Sequence, residues 1–145
     1  GPLGTLLAQH RESLGVNTLA PGRGARAALR RLKRGEAVGL FVDQATAERS
    51  RSIPFLGRAA PTPLTFERLL EASGAVPLFI WNHRDASGRY IVHVEAVPLN
   101  DSLLWLTARL ETLVQTFPTQ WVWLHQRWTD RGARIREPDE VPSPL

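Results

Sequence analysis

One pair of residues has types and spacing suited to general-base catalysis, namely His125 and Asp130 in the order His-x4-Asp. A carboxylate that orients an imidazole helps it take a proton from a hydroxyl group. On a helix, however, five residues turn through roughly 140°, so the two side chains would face different directions unless the helix ends between them. We therefore expect that His125 and Asp130 do not form a catalytic pair.

Other kinds of chemistry lack the residues or motifs they need. The chain contains no cysteine, which excludes disulfides, thiolate nucleophiles and cysteine metal ligands. No serine nucleophile elbow, phosphate-binding loop or dinucleotide fingerprint occurs. The remaining histidines, whose spacing is not that of metal ligands, are His10, His83 and His93. The sequence predicts no metal site.

An aspartate follows the most strand-like run of the chain. Residues 37–42 read Ala-Val-Gly-Leu-Phe-Val, which is typical of a central parallel strand buried on both faces. Asp43 comes directly after it, and open α/β sheets bind ligands at the carboxyl ends of their strands. The polar residues 44–52 then predict a long loop. We interpret Asp43 as a site candidate, with capping of a nearby turn as the structural alternative.

A short amphipathic helix is predicted at residues 23–34. Small and apolar residues recur there at helical spacing, and Gly35 follows. The other face carries a basic stripe, which consists of Arg26, Arg30, Lys33 and Arg34. With 18 Lys+Arg against 14 Asp+Glu, the chain as a whole weakly favours an anionic partner. A solvated surface is the plain interpretation, while nucleic acid, anionic lipid headgroups and an acidic carrier protein would each match the charge.

A second chemically suggestive helix is predicted at residues 118–128, because Pro118 suits a first helical turn. Trp123 and Arg127, four positions apart, would stack there as a cation–π pair. Tryptophans on such a helix serve core packing, interfacial anchoring or base stacking. Because the tryptophans and the basic stripe lie on separate elements, nucleic-acid binding is the least favoured of these functions.

The helices and strands predicted from the sequence must position these residues. Their order indicates an α/β fold with a mixed, partly parallel sheet flanked by helices. Helices are expected at residues 64–72 and 101–117, and strands at residues 75–81 and 90–97. The turn at residues 85–88 makes the last two strands antiparallel neighbours. Together with the predicted helix at 118–128, the last long helix forms a C-terminal helical pair.

The length suits one globular domain, which we assign to residues 1–130, followed by a charged, proline-rich tail at 131–145. No apolar run approaches the ~20 residues that a membrane-spanning helix needs. The chain has no methionine, so we expect it to begin after its own translation start. Its first four residues resemble the remnant of a cleaved affinity tag, with native sequence upstream of a helix as the equal alternative.

The order of several motifs resembles the lipid A biosynthesis acyltransferase family. These motifs are the Arg-x3-Gly step from Arg11 to Gly15, Leu-Lys-Arg-Gly-Glu at 32–36, Val-Asp-Gln at 42–44, Ile-Pro-Phe-Leu-Gly-Arg-Ala at 53–59, Ser-Gly-Ala-Val-Pro at 73–77 and Pro-Thr-Gln-Trp-Val-Trp-Leu-His-Gln-Arg-Trp at 118–128. The resemblance covers residues 5–130, and it depends on the order and spacing of these motifs taken together.

This resemblance implies that the chain is the C-terminal portion of an acyltransferase with a glycerolipid-acyltransferase-like fold. Such an enzyme moves a fatty acyl chain from acyl carrier protein to a hydroxyl of a lipid A precursor or similar glycolipid, without a cofactor. The resemblance places it at the cytoplasmic face of the inner membrane. The histidine base, in a His-x4-Asp/Glu motif, would lie upstream of residue 1, so this chain alone is expected to be inactive.

The resemblance also implies roles for individual residues. Arg11 and Asp43 would support catalysis, with a purely structural ion pair to Asp43 as the alternative for Arg11. Contacts to the substrates would come from Gln44, Arg26, Arg30, Trp123 and Arg127. The partners would be acyl carrier protein, the glycolipid and an anionic membrane, and not nucleic acid. An alternative stays open because the base is missing and Ala45 stands where many relatives have a second acid. In that alternative, the chain is a non-catalytic module that binds lipid or carrier protein.

Overall fold

Two helices form the first of the two units into which the chain divides. The computed structural model describes residues 2–19, 24–44 and 49–128, and the units are Gly1–Val38 and Gly39–Leu145. In the first unit, helix α1 is Pro2–Ser13 and helix α2 is Gly24–Leu32. Ala28 of α2 is buried, and Gly35 ends the following turn with a left-handed φ of +78°. The predicted basic helix is therefore confirmed over residues 24–32, and Lys33 and Arg34 lie in the turn that follows.

Hairpins and helices alternate in the second unit. In chain order its described elements are β1 (Ser50–Phe55), β2 (Arg58–Pro63), α3 (Thr65–Ser73), β3 (Leu78–Arg84), β4 (Tyr90–Ala96) and α4 (Ser102–Thr116). Strand β1 pairs with β2 and strand β3 pairs with β4, both antiparallel. The α/β class is confirmed. No parallel pairing occurs among the described residues, so the parallel core is not confirmed.

The strand predicted at residues 37–42 is wrong. Residues 36–41 have no regular structure and residues 42–44 form a bend. Leu40 and Phe41 are 42% and 74% exposed, so the run is not a buried core segment. A strand needs a neighbour for its backbone hydrogen bonds, and each described strand pairs only within its own hairpin. Asp43 therefore lies in a bend and not at the end of a strand.

Part of the region predicted as a loop is instead the β1–β2 hairpin. Ile53 pairs with Ala60, and Leu56 and Gly57 form the turn with φ values of +50° and +74°. Two successive positive φ values are those of the type I′ turn, which matches the twist of paired strands. The amide of Leu56 donates a hydrogen bond of 2.9 Å to Glu111 Oε2 on α4, which anchors this turn.

The later hairpin and helix α3 follow the sequence more closely. Helix α3 is capped at its C-terminal end by Gly74, whose φ of +65° lies in the left-handed region that glycine favours. The predicted strand at 90–97 and the turn before it are confirmed, since Trp81 pairs with His93 and Arg84 with Tyr90. Strand β3, however, begins at Leu78 and alternates between half-buried and exposed residues. It is therefore covered on one face only.

The second helix of the predicted C-terminal pair is absent from the described residues. A short 3₁₀ turn spans Pro118–Gln120, and residues 121–128 continue as irregular turns. The amides of Trp123 and Arg127 bond to carbonyls two residues earlier, at 3.1 Å and 2.9 Å. This bonding follows from the tertiary contacts of the segment, which outweigh its helical spacing.

Helix α4 lies at the centre of the second unit. The helix predicted at residues 101–117 is confirmed, and its side chains Leu103, Leu106 and Leu113 are buried. A cluster around Phe55, Ala60 and Val114 joins the β1–β2 hairpin to α4. None of the helices in the described ranges has both the length and the apolarity needed to cross a membrane.

Candidate functional site

Three of the predicted site residues lie in the first unit. Arg11 occupies the last turn of α1, and its side chain is exposed. Arg26 and Arg30 are exposed one turn apart on α2. In the described parts of the chain neither takes part in a salt bridge, whereas Arg31 of the same helix binds Glu36 at 2.6 Å. At Arg26 and Arg30, the outer face of α2 therefore presents positive charge that no acidic side chain of the described residues neutralises.

The other predicted site residues lie in the second unit. Asp43 is half-buried and Gln44 is exposed, both in the bend that precedes β1. Trp123 is 54% exposed, and its indole donates a 2.7 Å hydrogen bond to the carbonyl of Pro118. Arg127 is only 1% exposed. An exposed indole can contact a ligand directly, whereas Arg127 is enclosed by the protein.

Arg127 binds the β1–β2 hairpin. Its Nη2 donates to Thr62 Oγ1 at 2.8 Å, and its Nη1 donates to the carbonyl of Pro61. The guanidinium carbon lies 5.5 Å from the ring centre of Phe55. The predicted stacking of Arg127 on Trp123 is therefore wrong, because the ring of Phe55 takes that place.

Asp43 is electrostatically linked to Arg127. Burial lowers the pKa of Arg127, and the negative charge of Asp43 opposes that effect. This electrostatic effect is the described link between one predicted catalytic residue and one predicted substrate contact. Their roles in catalysis and binding stay predictions.

Two tryptophans complete the surroundings of Arg127. The rings of Trp121 and Trp128 lie 6.0 Å and 5.8 Å from that of Phe55. The indole of Trp128 also donates a 3.2 Å hydrogen bond to the carbonyl of Phe55. Of the three functions considered for these tryptophans, core packing is the one that Trp121 and Trp128 have here.

An open groove runs beside the same hairpin. Its volume is about 430 Å³, and its lining is mostly apolar. It is lined by Ile53, Pro54, Leu104, Ala108, Glu111, Thr112 and Gln115. Glu111 thus both borders the groove and holds the turn at Leu56.

A polar and aromatic cluster that the sequence did not predict lies between the β3–β4 hairpin and α4. Arg109 binds Glu95 through two hydrogen bonds of 2.7 Å, and Trp81 donates a third of 2.6 Å to the same carboxylate. These hydrogen bonds lower the pKa of Glu95 to about 2, and hydrogen bonding to Arg109 has the largest effect. Glu95 is therefore a fixed anion at neutral pH.

The histidines of this hairpin are paired and not isolated. His93 Nε2 lies 3.2 Å from His83 Nδ1, and the ring of His93 stacks on Trp81 at 3.8 Å. Their positions on either side of the turn at residues 85–88 were the signal that could have predicted this contact. In the described residues, no group of three or more potential ligands could hold a metal ion.

The pair first considered for general-base chemistry remains untested. His125 is half-buried and lies in a turn, so the helical geometry used against the pair does not apply to it. Its carbonyl accepts a 2.9 Å hydrogen bond from the amide of Arg127. Asp130 and the predicted tail at 131–145 lie outside the described residues.

Comparison with protein families identifies a match over most of the chain. The family model described as bacterial lipid A biosynthesis acyltransferase matches residues 2–130. A search of curated proteins finds no match to this chain.

Proposed function

Because this chain belongs to the bacterial lipid A biosynthesis acyltransferase family, we propose that it forms part of an enzyme that acylates a lipid A precursor or similar glycolipid. The acyl donor is acyl carrier protein, and the reaction takes place at the cytoplasmic face of the inner membrane. The family match over residues 2–130 carries this proposal. The exposed positive face of α2 supports it, since carrier proteins and anionic headgroups both carry negative charge.

In the proposed reaction, a histidine base takes the proton of the acceptor hydroxyl, whose oxygen attacks the thioester carbonyl. The tetrahedral intermediate then collapses and releases the carrier thiol. In this proposal the base belongs to a part of the complete enzyme upstream of this chain. In this proposal Arg11 and Asp43 support the charged groups of that step. Contacts to the donor and acceptor come from Arg26, Arg30, Gln44 and Trp123.

The catalytic roles are tested in the complete gene product that contains this chain. Transfer of a radiolabelled acyl chain from acyl carrier protein to a lipid A precursor is measured for Arg11→Ala and Asp43→Asn. We expect each to lower kcat on the order of 10²-fold, because transition-state charge loses a stabilising partner. Arg89→Ala, an exposed arginine in a turn of the second unit, is the control. Absence of acyl transfer by the parent protein would overturn the proposed function.

A second candidate function is a non-catalytic module that binds anionic lipid or carrier protein. The observation in its favour is the exposed face of α2, where Arg26 and Arg30 take part in no described salt bridge. The double change Arg26→Ala/Arg30→Ala should weaken binding to anionic vesicles about 30-fold, at ~1 kcal/mol per charge. Arg51→Ala/Arg89→Ala removes the same charge from residues that form salt bridges, and serves as control. Binding without turnover in the complete gene product would favour this module over the enzyme.

A further inference from the structure

Residues 117–120, which follow α4 and which we call the latch, are attached to strand β3 by side chains at both ends. The ring of Phe117 stacks on that of His83, with the ring centres 4.6 Å apart. The side-chain amide of Gln120 donates to the carbonyl of Arg84 at 3.0 Å, and its oxygen accepts from the Arg84 amide at 2.7 Å. The carboxamide of Gln120 thus takes the place of a neighbouring strand at the edge of β3.

The contact of Phe117 with β3 depends on a hydrogen bond between two histidines. His83 Nδ1 and His93 Nε2 lie 3.2 Å apart, and the two ring planes differ by only 23°. One nitrogen must donate and the other must accept, so at least one ring has to be neutral. When both rings are protonated, all four nitrogens carry hydrogen and no acceptor remains. Two positive charges at this distance also repel each other.

The charged groups that face the histidine pair keep their charge over the range in which histidines titrate. His93 stacks on Trp81, whose indole donates to Glu95 on the same hairpin. From α4, the guanidinium carbon of Arg109 lies 5.5 Å from the ring centre of Trp81. The pKa of Glu95 is about 2, and its hydrogen bond raises the pKa of Arg109. Both groups therefore stay charged between pH 8 and pH 5, where histidine ordinarily changes charge.

The turn of the hairpin and the latch add no group that titrates in this range. Arg84 donates a 2.6 Å hydrogen bond to the hydroxyl of Tyr90. Hydrogen bonds, first that of the Ser87 side chain, lower the pKa of Asp85. The latch reads Phe-Pro-Thr-Gln and has no ionisable side chain. A change of charge beside the latch between pH 8 and pH 5 therefore comes from His83 and His93.

We propose that His83 and His93 form a pH-dependent switch, which holds the latch on β3 while at least one ring is neutral and releases it when both are charged. Repulsion separates the two rings, and His83 then no longer offers its face to Phe117. Strands β3 and β4 stay paired, because their backbone hydrogen bonds carry no titrating group.

The release of the latch also changes the surroundings of an exposed tryptophan. The indole of Trp123 donates a hydrogen bond to the carbonyl of Pro118, which belongs to the latch. Release therefore frees Trp123 from its connection to β3. Only the consequence for substrate binding, in which Trp123 contacts donor or acceptor, rests on the proposed function.

The switch is tested by NMR spectroscopy of the ¹⁵N-labelled chain between pH 8 and pH 5. The side-chain amide resonances of Gln120 are identified by their loss in Gln120→Glu. In the parent chain we expect them to move, as the pH falls, to the position of a free glutamine side chain. A nuclear Overhauser effect between Ile80 and Val94, which face each other across the hairpin, should persist at pH 5. Its loss would mean that the whole hairpin opens, and would overturn the proposal.

Two variants remove the double charge but keep an aromatic ring at each position. In His83→Phe and in His93→Phe, we expect the Gln120 resonances to keep their pH 8 position down to pH 5. His10→Asn, which removes an exposed histidine of α1, is the matched control and should respond to pH as the parent chain does. If one phenylalanine variant does not fold, the other decides.

Two further results would overturn the switch. One is a parent chain whose Gln120 resonances stay in place between pH 8 and pH 5. The other is a folded phenylalanine variant whose Gln120 resonances move as far as those of the parent chain. None of these measurements depends on acyl transfer, so a failure of the proposed function leaves the test of the switch unchanged.

Discussion

The two hairpins of the second unit are built from similar numbers of residues but are stabilised in different ways. The β1–β2 hairpin buries Phe55, Ala60 and Thr62 against α4 and the segment 121–128. The β3–β4 hairpin packs one face on α4 and exposes the other, where Ile80 and Val94 are 63% and 62% exposed. The first hairpin therefore depends on distant parts of the chain, and the second depends more on pairs within itself.

This difference shows why one hairpin was predicted from the sequence and the other was not. Alternating side chains on β4 and a recognisable turn at residues 85–88 indicate a hairpin locally. The β1–β2 hairpin contains Pro54, Pro61 and Pro63, and proline is unfavourable within strands. Its turn begins with Leu56, a residue that rarely adopts a positive φ. The contacts that stabilise it are tertiary.

The largest expected effect is that of Phe55→Ala. Truncating this completely buried ring should lower the free energy of unfolding by about 3–5 kcal/mol, because it leaves a cavity beneath Arg127 and between two tryptophans. Val94→Ala on the exposed face of β4 is the control and should cost less than about 0.5 kcal/mol. Urea unfolding followed by tryptophan fluorescence measures both. Equal effects would contradict the comparison of the two hairpins.

A smaller effect is expected for Glu95→Gln, which breaks the charged cluster of the other hairpin. Loss of the bonds to Arg109 and Trp81 should cost about 1.5–3 kcal/mol at neutral pH. Folding lowers the pKa of Glu95 from 4.5 to about 2. The contribution of the Glu95 carboxylate to the free energy of unfolding is therefore complete above pH 4.5, and it is lost as the pH falls towards 2.

The measurement is the difference in unfolding free energy between the parent chain and Glu95→Gln at several pH values. This difference should shrink as the pH falls from 4.5 to 2. Arg109→Gln removes the partner in place of the carboxylate and should lose the same pH-dependent contribution. A constant difference across this range would show that the carboxylate charge is not what stabilises the hairpin.

The smallest expected loss of stability comes from replacing a turn glycine by alanine, and it should be the same in both hairpins. Gly57 and Gly88, in the turns of the two hairpins, have φ values of +74° and +84°, and open space surrounds the place of a Cβ at each. Alanine should therefore cost about 1 kcal/mol at either position, from backbone conformation alone. Thermal unfolding of Gly57→Ala and Gly88→Ala compares them. A much larger loss at Gly57 would mean that the tertiary contacts of β1–β2 also depend on its turn.

Much of the fold could be predicted, because α2, α3, α4 and the β3–β4 hairpin have local periodicity and turn signals. The errors at residues 37–42 and 118–128 have one cause. An apolar run or a helical spacing indicates a compatible structure, but the neighbours decide whether it forms. At 37–42 no partner strand is described, and at 121–128 the contacts of Arg127 with Thr62 replace helical bonds.

The candidate site was harder to predict than the fold. The sequence and family resemblance indicated Asp43 and Arg127 separately, but neither spacing nor periodicity relates two residues 84 positions apart. The burial of Arg127 and its bond to Thr62 come only from the folded chain. The contact of His83 with His93 was within reach, because the register of the predicted hairpin pairs His93 with Trp81 and so makes His83 its diagonal neighbour.

Helix α4 binds the two hairpins through residues that are neighbours in sequence. Glu111 holds the turn of β1–β2, and Arg109 holds Glu95 of β3–β4. Two residues turn a helix through about 200°, so these side chains leave α4 on roughly opposite sides. The helix thus makes the hairpins one cooperative unit, in which opening of either removes support from the other. Amide hydrogen exchange should accordingly slow or quicken in both hairpins together.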